Sequence, residues 1–186
     1  MSFDSAAREF LRDHGAESIE HPGGTLYAHL CRVEQRLADL GAAPDLRLAG
    51  LTHAAYGTDG FARGLLDPSD RAALRSVVGT AAETLVYLYG ACDRNRTWPS
   101  LAGTATVHDR FTGRTRQLVA SQLVSFVDLS VVNELDVIEQ NPAMLEKYGG
   151  YLRDLVTRWA PVTSPTVVAE ARRVLAGVSR RQTGPS

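Results

Sequence analysis

The sequence predicts an all-α fold with one small β-hairpin, and two observations lead to this prediction. Apolar residues recur at the helical period through most of the 186 residues. The one strand signal lies near residues 105–119, where two short segments flank a turn that contains Gly113. The length suits one ordinary domain with a sizeable core, so we expect residues 1–186 to form a single helical domain.

Cap residues and apolar periodicity predict three helices in the first third of the chain. Thr25 is a candidate N-cap and Gly41 a stop signal for the most regular of them. The next helix opens at Pro44 and is apolar on most sides, which predicts burial. The three predicted helices cover residues 3–14, 25–40 and 46–56.

Turn and cap residues divide the middle of the chain. Asp67 and Pro68 predict the start of a helix that Gly79 ends. Thr80 and Glu83 have the spacing of a capping box, which predicts a further helix to about residue 92. This assignment gives Glu83 a structural role and no catalytic one.

The C-terminal third predicts three more helices and a tail. Ser121 is a candidate N-cap for a long helix to about residue 140. The helix from Pro142 is expected to run to residue 159 with an interruption at 149–150, and 165–176 is the last helix. The two terminal helices either complete the core or form a homodimer face. Residues 178–186 are predicted to be a flexible polar tail.

Composition excludes several classes of partner. Basic and acidic residues number 20 and 21, and no segment concentrates basic residues, so we expect no nucleic-acid partner. No window approaches 18 continuous apolar residues, so we expect no membrane association. The two cysteines lie far apart, which favours a reducing cytoplasm. A small-molecule substrate or ligand is the expected partner of a bacterial, cytoplasmic protein.

Two of the five histidines require an explanation. His29 lies on the apolar face of the second predicted helix, and His53 lies within the densely apolar third helix. Two helices joined by a short turn can pack antiparallel, and this would bring the two histidines together. A metal site is the obvious use of such a pair, although a single inward histidine is more often a satisfied core residue.

Two segments resemble the first half of an HD domain. They are Thr25-Leu-Tyr-Ala-His29 and Leu48-Ala-Gly-Leu-Thr-His53. The HD superfamily is helical and binds metal through a His, a His-Asp pair and a later Asp. The run from His53 to Thr58 also resembles a bacterial HD-like group with His, a small residue, any residue and then Tyr-Gly-Thr. The resemblance covers about residues 18–135.

The resemblance implies that His29, His53 and Asp128 are metal ligands. Ala54 stands where the family has its paired Asp, which leaves a mononuclear site or no metal as the alternatives. Asp128 also lies in an apolar helical run, and a carboxylate there needs a nearby metal ion or Arg to compensate its burial. Two imidazoles and one carboxylate would suit Fe, Mn, Zn or Co. An ion pair with an arginine is the main alternative to metal ligation by Asp128. The candidate arginines are Arg63, Arg71 and Arg110.

Four residues near the histidines are further candidates. His21, on a glycine loop, could add a ligand or bind substrate. Tyr56 and Thr58 could donate hydrogen bonds during catalysis, and Tyr56 could also bind substrate. Asp59 could accept a proton. Four polar residues later in the chain are instead assigned to the solvated side of their helix. They are Asn133, Glu134, Asp136 and Glu139.

Three functional hypotheses follow from these residues. The first is an HD-like, mononuclear metal-dependent hydrolase that acts on a small polar or phosphorylated molecule. The second is an iron-dependent oxygenase of a small molecule, because the same ligand types serve open iron sites. The third is a metal-free small-molecule binding module that has lost HD catalysis. Elemental analysis of the protein separates the three hypotheses.

Overall fold

The computed structural model describes residues 3–176 and confirms the all-α prediction. Within this range the α-helices are α1 (Phe3–Asp13), α2 (Leu26–Asp39), α3 (Pro44–Thr52), α4 (Arg71–Ala91), α5 (Arg94–Thr97), α6 (Leu101–Thr104), α7 (Ala120–Gln140), α8 (Pro142–Trp159) and α9 (Pro165–Ala176). Two antiparallel hairpins pair β1 (Glu20–His21) with β2 (Gly24–Thr25) and β3 (Thr106–His108) with β4 (Thr115–Gln117).

The central element of the fold is α7. This helix contacts α2, α3, α4, α8 and α9. Phe126 and Leu129 on α7 are fully buried, because neighbouring helices cover most of its circumference. Trp159 of α8 and Ala171 of α9 are also buried. The two terminal helices therefore complete the core around α7, as one of the two sequence-based alternatives predicted.

Local signals placed α2 correctly. The Thr25 hydroxyl accepts a hydrogen bond from the backbone N–H of Ala28 at 3.2 Å, as expected of an N-cap. Gly41 adopts a φ of 79°, which is the left-handed conformation that commonly ends a helix. These two residues fix the length of the helix that carries His29.

The sequence prediction for α4 was partly correct. Gly79 breaks the helical path with φ 83° and ψ 166°, as its predicted stop requires. The helix begins at Arg71 and not at Asp67, because the Asp67 carboxylate accepts from the N–H and the hydroxyl of Ser69 and forms a turn.

The capping-box role predicted for Glu83 is wrong. Its side chain is fully buried and binds Arg71 at 2.6 and 2.7 Å and Arg75 at 3.2 Å. A hydrogen bond between two charged groups is stronger than one to a backbone N–H, which explains why the Glu83 carboxylate binds the arginines and does not cap the helix. Glu83 therefore joins the two halves of α4 across the break at Gly79.

Several element boundaries differ from the predictions. The hairpin near 105–119 is confirmed, whereas β1–β2, α5 and α6 were missed because each is only two to four residues long. The third helix ends at Thr52, and the apolar residues after it form buried turns. The helix from Pro142 continues through 149–150 without interruption. The predicted tail at 178–186 lies outside the described residues.

No helix within residues 3–176 is both long enough and apolar enough to cross a membrane.

Candidate functional site

The structure brings His29 and His53 together, as their spacing predicted. His29 projects from α2, and His53 is the residue directly after α3. Both are almost fully buried, at 1% and 2% exposure. Their Nε2 atoms lie 3.3 Å apart, and the rings meet edge to face with centroids 5.1 Å apart.

Hydrogen bonds fix the tautomers of both rings. His29 Nδ1 lies 2.6 Å from Asp136 Oδ2, and His53 Nδ1 lies 2.8 Å from the carbonyl oxygen of Gly50. A carboxylate and a carbonyl oxygen can only accept, so each Nδ1 carries a proton. The two Nε2 atoms then face each other across the cleft, and when neither carries a proton each holds a lone pair directed at the other.

Asn133 adds a third acceptor atom at this point. Its Oδ1 lies 3.1 Å from His29 Nε2. Its Nδ2 donates to Glu134 Oε1 at 3.0 Å, and this bond sets the orientation of the amide. With both rings neutral, three acceptor atoms therefore converge here, and a proton on His29 Nε2 or a bound metal ion would satisfy them.

Asp136 supports His29 from behind and is itself supported by Arg32. The guanidinium of Arg32 donates from Nε and Nη2 to the two oxygens of Asp136 at 2.8 and 2.9 Å. Burial alone would raise the pKa of Asp136, but the hydrogen bonds from His29 and Arg32 outweigh it and hold the pKa at about 2. The group is therefore a carboxylate at neutral pH.

His21 forms one wall of the site. The hairpin β1–β2 places its ring 4.1 Å from the ring of His29 in a stacked arrangement. Its Nδ1 is buried without a hydrogen bond of good geometry. Burial and the neighbouring His29 lower the pKa of His21 to about 4, and the same two causes lower that of His53 to about 3. Both rings are therefore neutral at pH 7.

A cavity of about 290 Å³ opens in front of the histidines. Its wall includes the predicted residues Thr58 and Asp59, from the loop after α3. Asp59 Oδ2 accepts from the backbone N–H of Arg94 at 2.8 Å. Arg94 Nη1 in turn donates to Glu134 Oε1 at 2.8 Å. The cavity thus contains imidazole, amide, hydroxyl and carboxylate groups.

The structure contradicts the two roles predicted for Tyr56. This side chain is buried, and its hydroxyl donates to Glu83 Oε1 at 3.0 Å, whereas Ala54 and Thr58 line the cavity. Burial and the charge of Glu83 raise the pKa of the Tyr56 phenol. The backbone turns after Thr52, so the Tyr56 side chain joins the cluster formed by Glu83, Arg71 and Arg75 and does not line the cavity.

The structure also contradicts Asp128 as a metal ligand beside the histidines. Its two oxygens accept from the N–H and the hydroxyl of Ser164 at 2.9 and 2.6 Å. Burial raises the pKa of Asp128, although these hydrogen bonds oppose the rise. The sequence predicts a metal ion or an arginine as the group that compensates this buried carboxylate. The two donors of Ser164 do so instead.

The residues that the sequence reading missed lie on the same helix as Asp128. Asn133 and Asp136 were assigned to a solvated face, but they are 6% and 2% exposed. They lie three residues apart, so they project from one face of α7 towards the histidines. Like Asp128, both are polar residues in an apolar helix, and this pattern marks them as candidates without showing what they contact.

The donor set is unusual for a metal site. Among residues 3–176, no group of three or more His, Cys, Asp or Glu side chains is arranged to hold a metal ion. His29 and His53 supply two donors, and a third is available only if the amide oxygen of Asn133 is counted. Such a set favours a metal ion that accepts imidazole and neutral oxygen ligands.

Comparison with known proteins gives one match. Residues 10–94 are similar to a family described as a domain of unknown function, DUF6817. No curated protein and no solved structure matches the chain. The matched range includes His21, His29 and His53, whereas Asn133 and Asp136 on α7 lie outside it.

Proposed function

We propose that this protein is an HD-like, mononuclear metal-dependent hydrolase that acts on a small polar or phosphorylated molecule. The ligands would be His29, His53 and the amide oxygen of Asn133. One observation carries this proposal: the two Nε2 atoms lie 3.3 Å apart while each Nδ1 is already hydrogen-bonded. A metal ion bound by both nitrogens would remove the repulsion between their lone pairs, and the competing explanation is a proton shared between them.

The spacing of these nitrogens fits a single metal ion. Two nitrogens bound about 2.1 Å from a tetrahedral Zn²⁺ lie about 3.4 Å apart. The partners of Nδ1, a carboxylate for His29 and a backbone carbonyl for His53, are those that commonly support metal-binding histidines. Ala54 lines the cavity where the family that the chain resembles has its paired Asp. This supports one metal ion and not two.

The metal ion, when bound, would polarise a substrate oxygen or lower the pKa of a water molecule towards neutrality. Asp59 and Glu134 line the same cavity and can accept a proton. Thr58 can orient a substrate atom through its hydroxyl. The stacked ring of His21 covers His29 and limits the access of solvent to it. The cavity volume of about 290 Å³ limits the substrate to a small molecule.

Metal analysis of matched histidine variants tests the proposal. The purified wild-type protein is expected to bind one equivalent of Zn, Mn or Co. His53→Ala should lose this metal, whereas His108→Ala, on β3 outside the cavity, should keep it. Hydrolysis of a panel of phosphomonoesters, carboxylic esters and amides should depend on the same metal. A folded wild-type protein that binds no metal ion from any preparation would overturn the proposal.

A metal-free binding module is the second candidate. It is favoured by the lack, in the described part of the chain, of three conventional metal-binding side chains in one group. It predicts that ligands bind the cavity equally well with and without added metal. An iron-dependent oxygenase would instead show stoichiometric iron and substrate-dependent oxygen consumption in the same experiments.

A further inference from the structure

We infer that the cavity selects a small neutral or cationic molecule with an N–H group, such as an amide, amine or amidine, over phosphate esters. This inference rests on the proposed function, because it takes the histidine cavity as the substrate site. The preference would come from the charged side chains that line the cavity beside the histidines.

Two carboxylates border the cavity. Asp59 uses Oδ2 to accept from the backbone of Arg94, so its other oxygen remains able to accept a hydrogen bond. Glu134 accepts from Asn133 through Oε1 and also lines the cavity. Its side chain is 17% exposed, so a bound molecule would meet it with little intervening water. Glu134 forms an ion pair with Arg94 at 2.8 Å, so Asp59 gives the lining of the metal-free cavity a net negative charge that attracts N–H donors and repels anions.

The cation that borders the cavity is already engaged. Arg94 is the one arginine on the wall formed by the described residues, and they include no lysine there. Its Nη1 donates to Glu134, its Nη2 donates to the Tyr89 hydroxyl at 2.8 Å, and its guanidinium lies 4.8 Å from the ring centre of Trp98. These three contacts hold the guanidinium in place and compensate its charge locally.

Arg32 cannot take its place. Nε and Nη2 of Arg32 bind Asp136 behind His29, and Nη1 and Nη2 also donate to the carbonyl oxygens of Gly23 and Pro22. Phosphate sites in proteins commonly present unpaired arginine or lysine side chains to the anionic oxygens. Neither arginine near the histidines is free for this purpose.

The distribution of charge on a phosphate group is also unfavourable for this cavity. It carries several anionic oxygens, so one of them would face Asp59 or Glu134 even if another lay beside the histidines. Close like charges are repulsive, and the repulsion strengthens where water is excluded. An amide, amine or amidine offers the carboxylates an N–H donor instead. This complementarity favours neutral and cationic nitrogen compounds.

Four small probes test the inference. Acetamidinium, acetamide and acetate share one shape and differ in charge, and methyl phosphate represents the excluded class. Binding to the metal-free protein is measured by NMR titration of cavity resonances, because a bound zinc ion would itself attract acetate and methyl phosphate. Acetamidinium and acetamide are expected to bind about tenfold or more tightly than methyl phosphate and acetate. Equal or tighter binding of methyl phosphate, or no binding by any probe, would overturn the inference.

A Glu134→Gln variant tests the charge argument directly. It removes one carboxylate charge and leaves the positive charge of Arg94 uncompensated, so methyl phosphate affinity should rise and acetamidinium affinity should fall, each by about tenfold. Glu139→Gln is the matched control, because Glu139 lies on the same helix outside the cavity and pairs with Arg36. An unchanged preference in Glu134→Gln would overturn the inference.

The same titrations separate this inference from the proposed function. If the protein binds no metal, the proposed hydrolase fails, yet the charge preference of the metal-free cavity can still hold. If the protein binds metal but its metal-free form lacks the preference, the inference fails and the proposed function stands.

Discussion

The carboxylate of Asp136 lies 2.6 Å from Nδ1 of His29 and receives two further hydrogen bonds from Arg32. This arrangement keeps the Nδ1 proton of His29 in place and directs Nε2 towards His53 and Asn133. Because Asp136 does not touch the proposed metal position, it acts through His29 as a positioning residue.

Replacement of Asp136 by Asn should therefore weaken metal binding without abolishing it. The amide is a weaker acceptor for the Nδ1 proton, and loss of such a supporting carboxylate commonly reduces metal affinity by about 10- to 100-fold. Competition with a chromophoric zinc chelator measures the change. Asp39→Asn on the exposed end of α2 is the control and should keep wild-type affinity. Wild-type affinity in Asp136→Asn would contradict the positioning role.

Asp128 should matter for stability and not for metal binding. Asp128→Ala removes the acceptor for both the N–H and the hydroxyl of Ser164, which are held before α9. We expect the free energy of unfolding to fall by about 1–3 kcal/mol, the usual loss when buried donors lose their partner. Urea denaturation measures this loss, and metal analysis of the same sample should show unchanged occupancy. A loss of metal from a folded Asp128→Ala protein would restore Asp128 as a ligand.

The histidine pair was predictable from the sequence because local signals place it. Thr25 and Gly41 fix the ends of α2, and the apolar period then fixes the face on which His29 lies. The short turn before Pro44 returns the chain alongside α2, which brings His53 to the same level. Each of these inferences uses only residues close in sequence.

The α7 residues of the site were not predictable in the same way. Neighbouring helices cover α7 on most sides, so burial is not confined to one face and periodicity does not separate inward from outward positions. Asp128 and Asp136 are both buried carboxylates, and only the tertiary arrangement shows that one meets Ser164 and the other His29. The β1–β2 hairpin that carries His21 was missed because its two-residue strands show no alternation.

Glu83 should contribute strongly to stability through its two arginine partners. It is fully buried, whereas Arg71 and Arg75 are 25% and 44% exposed. Glu83→Gln should lower the free energy of unfolding by about 2–3 kcal/mol, which is below the range for fully buried ion pairs because the arginines keep some water. Glu17→Gln is the matched control, since the Glu17–Arg12 pair is exposed and should cost less than about 1 kcal/mol. Similar losses in the two variants would contradict this account.

The variant Tyr56→Phe tests whether the phenol serves the stability of the Glu83 cluster or the function of the cavity. The variant removes the hydrogen bond from the phenol to Glu83 and should cost about 1 kcal/mol of stability. Metal occupancy and the binding of acetamidinium should stay at wild-type values, because Tyr56 does not line the cavity. A large loss of ligand binding with unchanged stability would show instead that the phenol reaches the site.

The buried histidines should make the metal-free protein less stable as the pH falls from about 6.5 to about 4.5. Their ordinary pKa is 6.5, whereas burial and the neighbouring His29 lower the pKa of His21 to about 4 and that of His53 to about 3. In this range the unfolded chain binds a proton on each ring and the folded chain does not, so acidification favours unfolding. Each such proton contributes a slope of about 1.4 kcal/mol per pH unit. Urea denaturation at several pH values measures this slope. His53→Ala should reduce it by about one proton relative to wild type, whereas an equal slope in the two proteins would show that His53 takes up its proton without unfolding.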